Sequence, residues 1–159
     1  MSVTKGFYDI TNPANFSDFA AQLGLKNLGM TIFPLSKGEG FDFFHNHREQ
    51  EEVYFCLKGV ADLVIRERKP DGTMGDTTVS ISQGEIVRVE PRTLRAIGNK
   101  SSDQALVLVA GAMPHTYPAG FSHHDVIADV LSVVGKGETG FSMPEGKLSD
   151  ADELEENVC

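Results

Sequence analysis

The residues best equipped for chemistry lie in one stretch, FDFFHNHREQEEVYFCLKG, which runs from Phe41 to Gly59. His45 and His47 are separated by one residue, four residues separate His47 from Glu52, and six separate Glu52 from Gly59. Side chains two apart on a strand share a face, so the two imidazoles point the same way. Neutral imidazoles with a carboxylate are the donors a divalent transition metal prefers. The polar stretch 48–51 can turn the chain back, which sets Glu52 beside the histidines. Glu51 is the other candidate carboxylate, because the sequence does not fix the loop geometry. By alternation Tyr54 and Cys56 share the face of Glu52, whereas Val53, Phe55 and Leu57 take the other.

Short strands must position these residues. Apolar runs of four to nine residues, with turn signals between them, predict strands over 28–35, 41–47, 52–57, 60–68, 77–81, 85–90, 94–98 and 104–112. Phe41, Phe43, His45 and His47 share one face of the second. Lys69-Pro70-Asp71-Gly72 is a turn by composition, and 77–81 is the return strand of a hairpin. The pattern indicates an all-β sandwich or barrel. A short helix is predicted over 12–24, with Asn12 as cap, Pro13 in the first turn and Gly24 at the end. A second is predicted over 125–134, from Asp125 to the residue before Gly135. Gly135-Lys136-Gly137-Glu138-Thr139-Gly140 matches a dinucleotide fingerprint as a string. Such a site needs a helix after it, and Phe141 to Gly146 does not read as one. The segment reads as a flexible connector.

At 159 residues one domain is expected. The net charge of −9 argues against a nucleic-acid partner. Seven acids and one base, Lys147, fall between Glu138 and Cys159, so this tail holds −6 and the body is nearly balanced. It reads as a solvated end. The longest apolar run, Ala105 to Met113, is too short to cross a bilayer. No signal-peptide pattern opens the chain, and Cys56 and Cys159 do not form a disulfide framework. These features point to the cytoplasm, with no membrane partner.

The H-x-H, four residues, E, six residues, G spacing resembles the first motif of the cupins. Their second motif runs G-x5-P-x-G-x2-H-x3-N. Here Gly84 to Asn99 has the right length, and Gly84 and Asn99 match. Glu90 replaces the proline, with Pro91 adjacent, and Arg92 replaces the glycine. Arg95 stands in place of the histidine that is the family's third imidazole ligand. The resemblance spans roughly residues 28–112. It implies a double-stranded β-helix, or jelly-roll barrel, with the site inside. Phe43, His45, His47, Glu52, Tyr54, Cys56 and Arg95 would face inward, with Arg88 or its neighbours on the wall. The chain then divides into an N-terminal arm with a short helix (1–27), the barrel (28–112), an extension with a short helix (113–137) and the acidic tail (138–159). A homodimer follows from family habit.

Arginine donates hydrogen bonds only and cannot ligate a cation, so the four-ligand set of the family is incomplete. In the first reading His45, His47 and Glu52 hold iron, manganese, zinc or nickel. Arg95 then reads an acidic group on a small anionic or sugar-like substrate, with Tyr54 and Cys56 beside it, in oxygenase or isomerase chemistry. In the second no metal binds. Arg95 pairs with Glu52, and the histidines bind a small ligand or serve as a general base. In the third the protein acts structurally or in regulation, through its surface. His115, His123 and His124 could supply a replacement ligand but read as surface residues. Cys56 reads more simply as a small core residue than as a metal ligand.

Overall fold

The computed structural model describes residues 3–11, 17–25, 27–112 and 129–144. The chain forms β1 (Ser17–Asp18), α1 (Phe19–Leu23), β2 (Gly29–Ser36), β3 (Phe44–His47), β4 (Glu51–Lys58), β5 (Val60–Arg68), β6 (Met74–Ser82), β7 (Ile86–Val89), β8 (Leu94–Gly98), β9 (Gln104–Ala112) and β10 (Val130–Val134). These make two five-stranded sheets, β1-β2-β9-β4-β7 and β10-β3-β8-β5-β6, in which all pairs are antiparallel. No helix among the described residues is long and apolar enough to cross a membrane.

The strands fall where the alternating runs and turn residues put them, because each face of a sheet demands its own residue type. On β4 the inward residues Glu52, Tyr54 and Cys56 are buried. Leu35, Tyr54, Cys56, Leu63, Ile81, Ile97 and Val107 come from both sheets and form the core between them. A smaller cluster, Phe44, Val64, Ala96 and Phe141, lies on the outer face of the second sheet.

Two helix expectations change. Over its described part the N-terminal helix is Phe19–Leu23, preceded by strand β1 at Ser17–Asp18, and 12–16 lie outside the described residues. The helix read over 125–134 is, over its described part from 130, strand β10, which pairs with β3. The run Val130-Leu131-Ser132-Val133-Val134 is β-branched, and the edge of β3 supplies ladder partners for it. The glycine-rich segment that follows is packed, not free. Gly135, Gly137 and Gly140 turn at positive φ. Glu138 then meets Arg66, and Phe141 lies against Gly98, where an added Cβ would come within 2.3 Å of the Phe141 ring.

The second-motif region shows why its spacing survives. Asn99, fully buried, donates to the carbonyls of Leu35 and Ser102 at 3.0 and 2.9 Å. Arg92 occupies φ 65°, a conformation that suits glycine, at the position where the family pattern has one. Its N–H donates to the His47 carbonyl at 2.8 Å, and the Asn46 amide donates to the Arg92 carbonyl at 3.1 Å. The turn thereby grips the histidine strand from outside.

Candidate metal centre

β3 presents His45 and His47 to the interior, and both are buried. The aromatic neighbours foreseen on that face are there: Phe41 and Phe43 each lie against the His45 ring, with centroids 5.4 and 6.0 Å away. β4 delivers Glu52, which is 6% exposed, whereas Glu51 faces solvent and pairs with Arg88 at 2.6 Å. This settles which carboxylate points inward. Of Arg88 and its neighbours, Val87 and Val89 take the inward wall of β7, and Arg88 lies outside. β8 brings Arg95 directly opposite His45 in the ladder.

The donor atoms of His45, His47 and Glu52 all lie within 4.8 Å of one another. The Glu52 carboxylate is fully engaged. One oxygen accepts from the Tyr54 hydroxyl at 2.6 Å and from the Arg95 guanidinium. The other accepts from the Gln50 amide at 3.0 Å and lies 3.2 Å from His47 Nε2. Arg95, with no exposed surface, also donates to the Tyr54 hydroxyl at 3.4 Å and to the carbonyls of His45 and Thr93 at 3.4 and 3.3 Å. Cys56 sits two pleats along β4 from Glu52, about 13 Å away by strand rise, in the apolar core. Its thiol lies 3.3 Å from the Lys58 carbonyl.

Electrostatics sharpen the division of roles. Burial works against the charge on Glu52, but Arg95 and then His47 override it and hold the carboxyl well below its usual range. Burial, reinforced by the charge of Arg95, holds His45 well below its ordinary value, so its imidazole is neutral. Burial and the Glu52 charge push the Tyr54 hydroxyl up, which keeps it a donor. Burial also pushes the Cys56 thiol up, away from the thiolate that ligation needs.

His47 is the unusual member. Its Nε2 faces Glu52 Oε1 at 3.2 Å and its Nδ1 faces Asp129 Oδ2 at 3.6 Å. A neutral imidazole has a single N–H. Whichever nitrogen carries it, the other directs a lone pair at a carboxylate oxygen. A cation between Nε2 and Glu52 removes that conflict. Two donors bound to one ion at about 2.1 Å lie roughly 3.0–3.4 Å apart at right-angled or tetrahedral geometry, which brackets the observed separation. The Nδ1 atoms of both histidines are buried and have no hydrogen-bond partner among the described residues. The donor set therefore fits a divalent ion, on three ligands and with the carboxylate shared.

The sequence did not reveal Gln50 or Asp129. Gln50 was legible in principle, being two residues before Glu52 and on its face. It fills space left by Gly111, the partner of Glu52 on β9. Asp129 is 82 positions from His47 and carried no local signal. His115, His123 and His124 lie outside the described residues.

No family model and no curated protein matches the chain. Solved structures do. A cupin protein from Bacteroides fragilis aligns with a TM-score of 0.58 at 21% identity, over 77% of this chain and 93% of the other. Oxalate oxidase in complex with the substrate analogue glycolate aligns at 0.53 and 16%, over 68% and 59%. A putative sugar phosphate isomerase from Acidithiobacillus ferrooxidans aligns at 0.50 and 19%, over 61% and 57%. Two antiparallel sheets enclosing an inward-facing site, together with these alignments, establish that the chain has the double-stranded β-helix fold of the cupins.

Proposed function

We propose that this chain holds one divalent transition metal ion on His45, His47 and Glu52 and uses it on a small anionic or sugar-like molecule, in isomerase or oxygenase chemistry. The observation that carries this is His47 lying between two carboxylates with the neutral His45 beside it. A second proton could satisfy His47 alone. A metal ion would also use His45. When bound, such an ion polarises a carbonyl or lowers the pKa of water.

The chain's own residues would prepare the site. Arg95, Tyr54 and Gln50 fix the Glu52 carboxylate and leave it little freedom to rotate. Arg95 in this reading is a positioning residue first. An acidic ligand would reach its guanidinium only by displacing Glu52. Phe41 and Phe43 give His45 an apolar wall that excludes water from its flank. Similar folds include an isomerase and an oxidase by name. That likeness supports the class of small polar substrate and does not choose between them. A cytoplasmic homodimer completes the proposal.

The Arg95–Glu52 pair favours one alternative, a metal-free binding protein whose histidines take a small ligand. Calorimetric titration of untagged protein with zinc and manganese separates the two. The metal reading expects one site per chain, weakened at least tenfold in both His45→Ala and His47→Ala. Heats absent in the wild type, or unchanged in the variants, favour the metal-free protein.

A further inference from the structure

Asp129 lies on neither of the strands that carry the three candidate ligands, yet it is tied to His47 and to the turn that joins β3 to β4. It is 6% exposed and immediately precedes β10, whose first residue, Val130, pairs with His47. Its Oδ2 accepts from the Gln50 N–H at 2.8 Å and the Glu49 N–H at 3.4 Å, and its backbone carbonyl accepts from the Arg48 N–H at 2.8 Å. These three N–H groups belong to the turn that carries the chain from His47 to Glu52. The same Oδ2 stands 3.6 Å from His47 Nδ1, beyond hydrogen-bond reach, and that nitrogen has no other partner among the described residues.

We infer that Asp129 is a positioning residue for the centre: it selects the His47 tautomer with the proton on Nδ1, so that the Nε2 lone pair faces the ion, and it holds the turn that sets Glu52 against the histidines. The inference rests on the metal reading above. A carboxylate behind a ligating imidazole fixes the ring and makes the ligating nitrogen more basic. Here the approach from 3.6 Å to a hydrogen bond would accompany loading, when Nε2 no longer needs the proton. The turn contacts keep the carboxylate in place beforehand, so the ring alone has to adjust.

Asp129→Asn tests this, because the amide oxygen can still accept from the turn while the charge is lost. Zinc affinity should fall 10- to 100-fold, with the urea midpoint changed far less than in Asp129→Ala. An affinity within threefold of wild type overturns the inference. Should Asp129→Asn not fold, the wild type decides by nitrogen NMR of the zinc-loaded protein. His47 Nδ1 should carry a slowly exchanging proton and Nε2 the metal-bound shift, and the reverse assignment overturns the inference. Zinc that fails to bind the wild type through His45 and His47 removes both the metal reading and this one. Binding that depends on the histidines but ignores Asp129→Asn removes only this one.

Discussion

Arg95 and Ile97 are neighbours on the inward face of one strand, both essentially without exposed surface, yet they lie in different kinds of interior. Around Ile97 the space between the sheets is filled by Leu63, Ile81, Cys56 and Val107, whose contacts are non-directional. Around Arg95 it is filled by Glu52, Tyr54, His45 and His47, where donors and acceptors must match one to one. One half of the interior requires volume and tolerates identity changes. The other half requires identity, because an uncompensated buried charge costs several kcal/mol.

Substitutions of matched size expose that difference. Arg95→Met should destabilise the fold by about 3–5 kcal/mol, since it leaves the Glu52 charge buried without its guanidinium partner. Ile97→Leu should cost less than about 1.5 kcal/mol. Urea unfolding of the two variants checks the contrast, and equal costs would break it. Adding Glu52→Gln to Arg95→Met should recover much of the loss, because no charge is then stranded. Tyr54→Phe should follow at about 1–3 kcal/mol, for one donor removed from Glu52.

Acid titration sharpens the comparison further. The folded chain holds His45 neutral, so the unfolded chain takes up a proton there that the folded chain refuses once the pH drops below about 6.5. Glu52 keeps its charge when folded, so a second loss begins below about pH 4.3 and continues down to its lowered folded value. Stability measured against pH should decline in these two stages. His45→Ala should remove the upper stage and Glu52→Gln the lower. Substitutions at Ile97 or Val107 should leave both in place. The smallest expected effect is at Arg92. Arg92→Gly relieves a left-handed backbone and should raise stability by up to about 1 kcal/mol in thermal unfolding.

The apolar half was largely legible in the sequence. Strands β2 to β9 follow local alternation and turn chemistry, which every window of the chain displays. The inward phase of Glu52, Tyr54 and Cys56 came from the same rule. Strand β10 was misread because an apolar run bounded by Asp125 and Gly135 suits helix or strand equally, and only the distant edge of β3 decides. The polar half was legible in its members and in one of its bonds, the Arg95–Glu52 pair expected in the second reading. Histidine spacing located the candidate ligands, but that Tyr54 also joins Arg95 and Glu52 depends on β4 and β8 facing each other across the barrel. Of Arg88 and its neighbours, alternation on β7 already favoured Val87 and Val89 for the wall, and they take it.

Metal content is the most direct test of the central claim. Untagged protein, dialysed and analysed for transition elements, should carry close to one ion per folded chain, and His45→Ala and His47→Ala should carry almost none while remaining folded. A wild type without metal after exposure to zinc, manganese, iron and nickel, or variants that retain it, would contradict the centre.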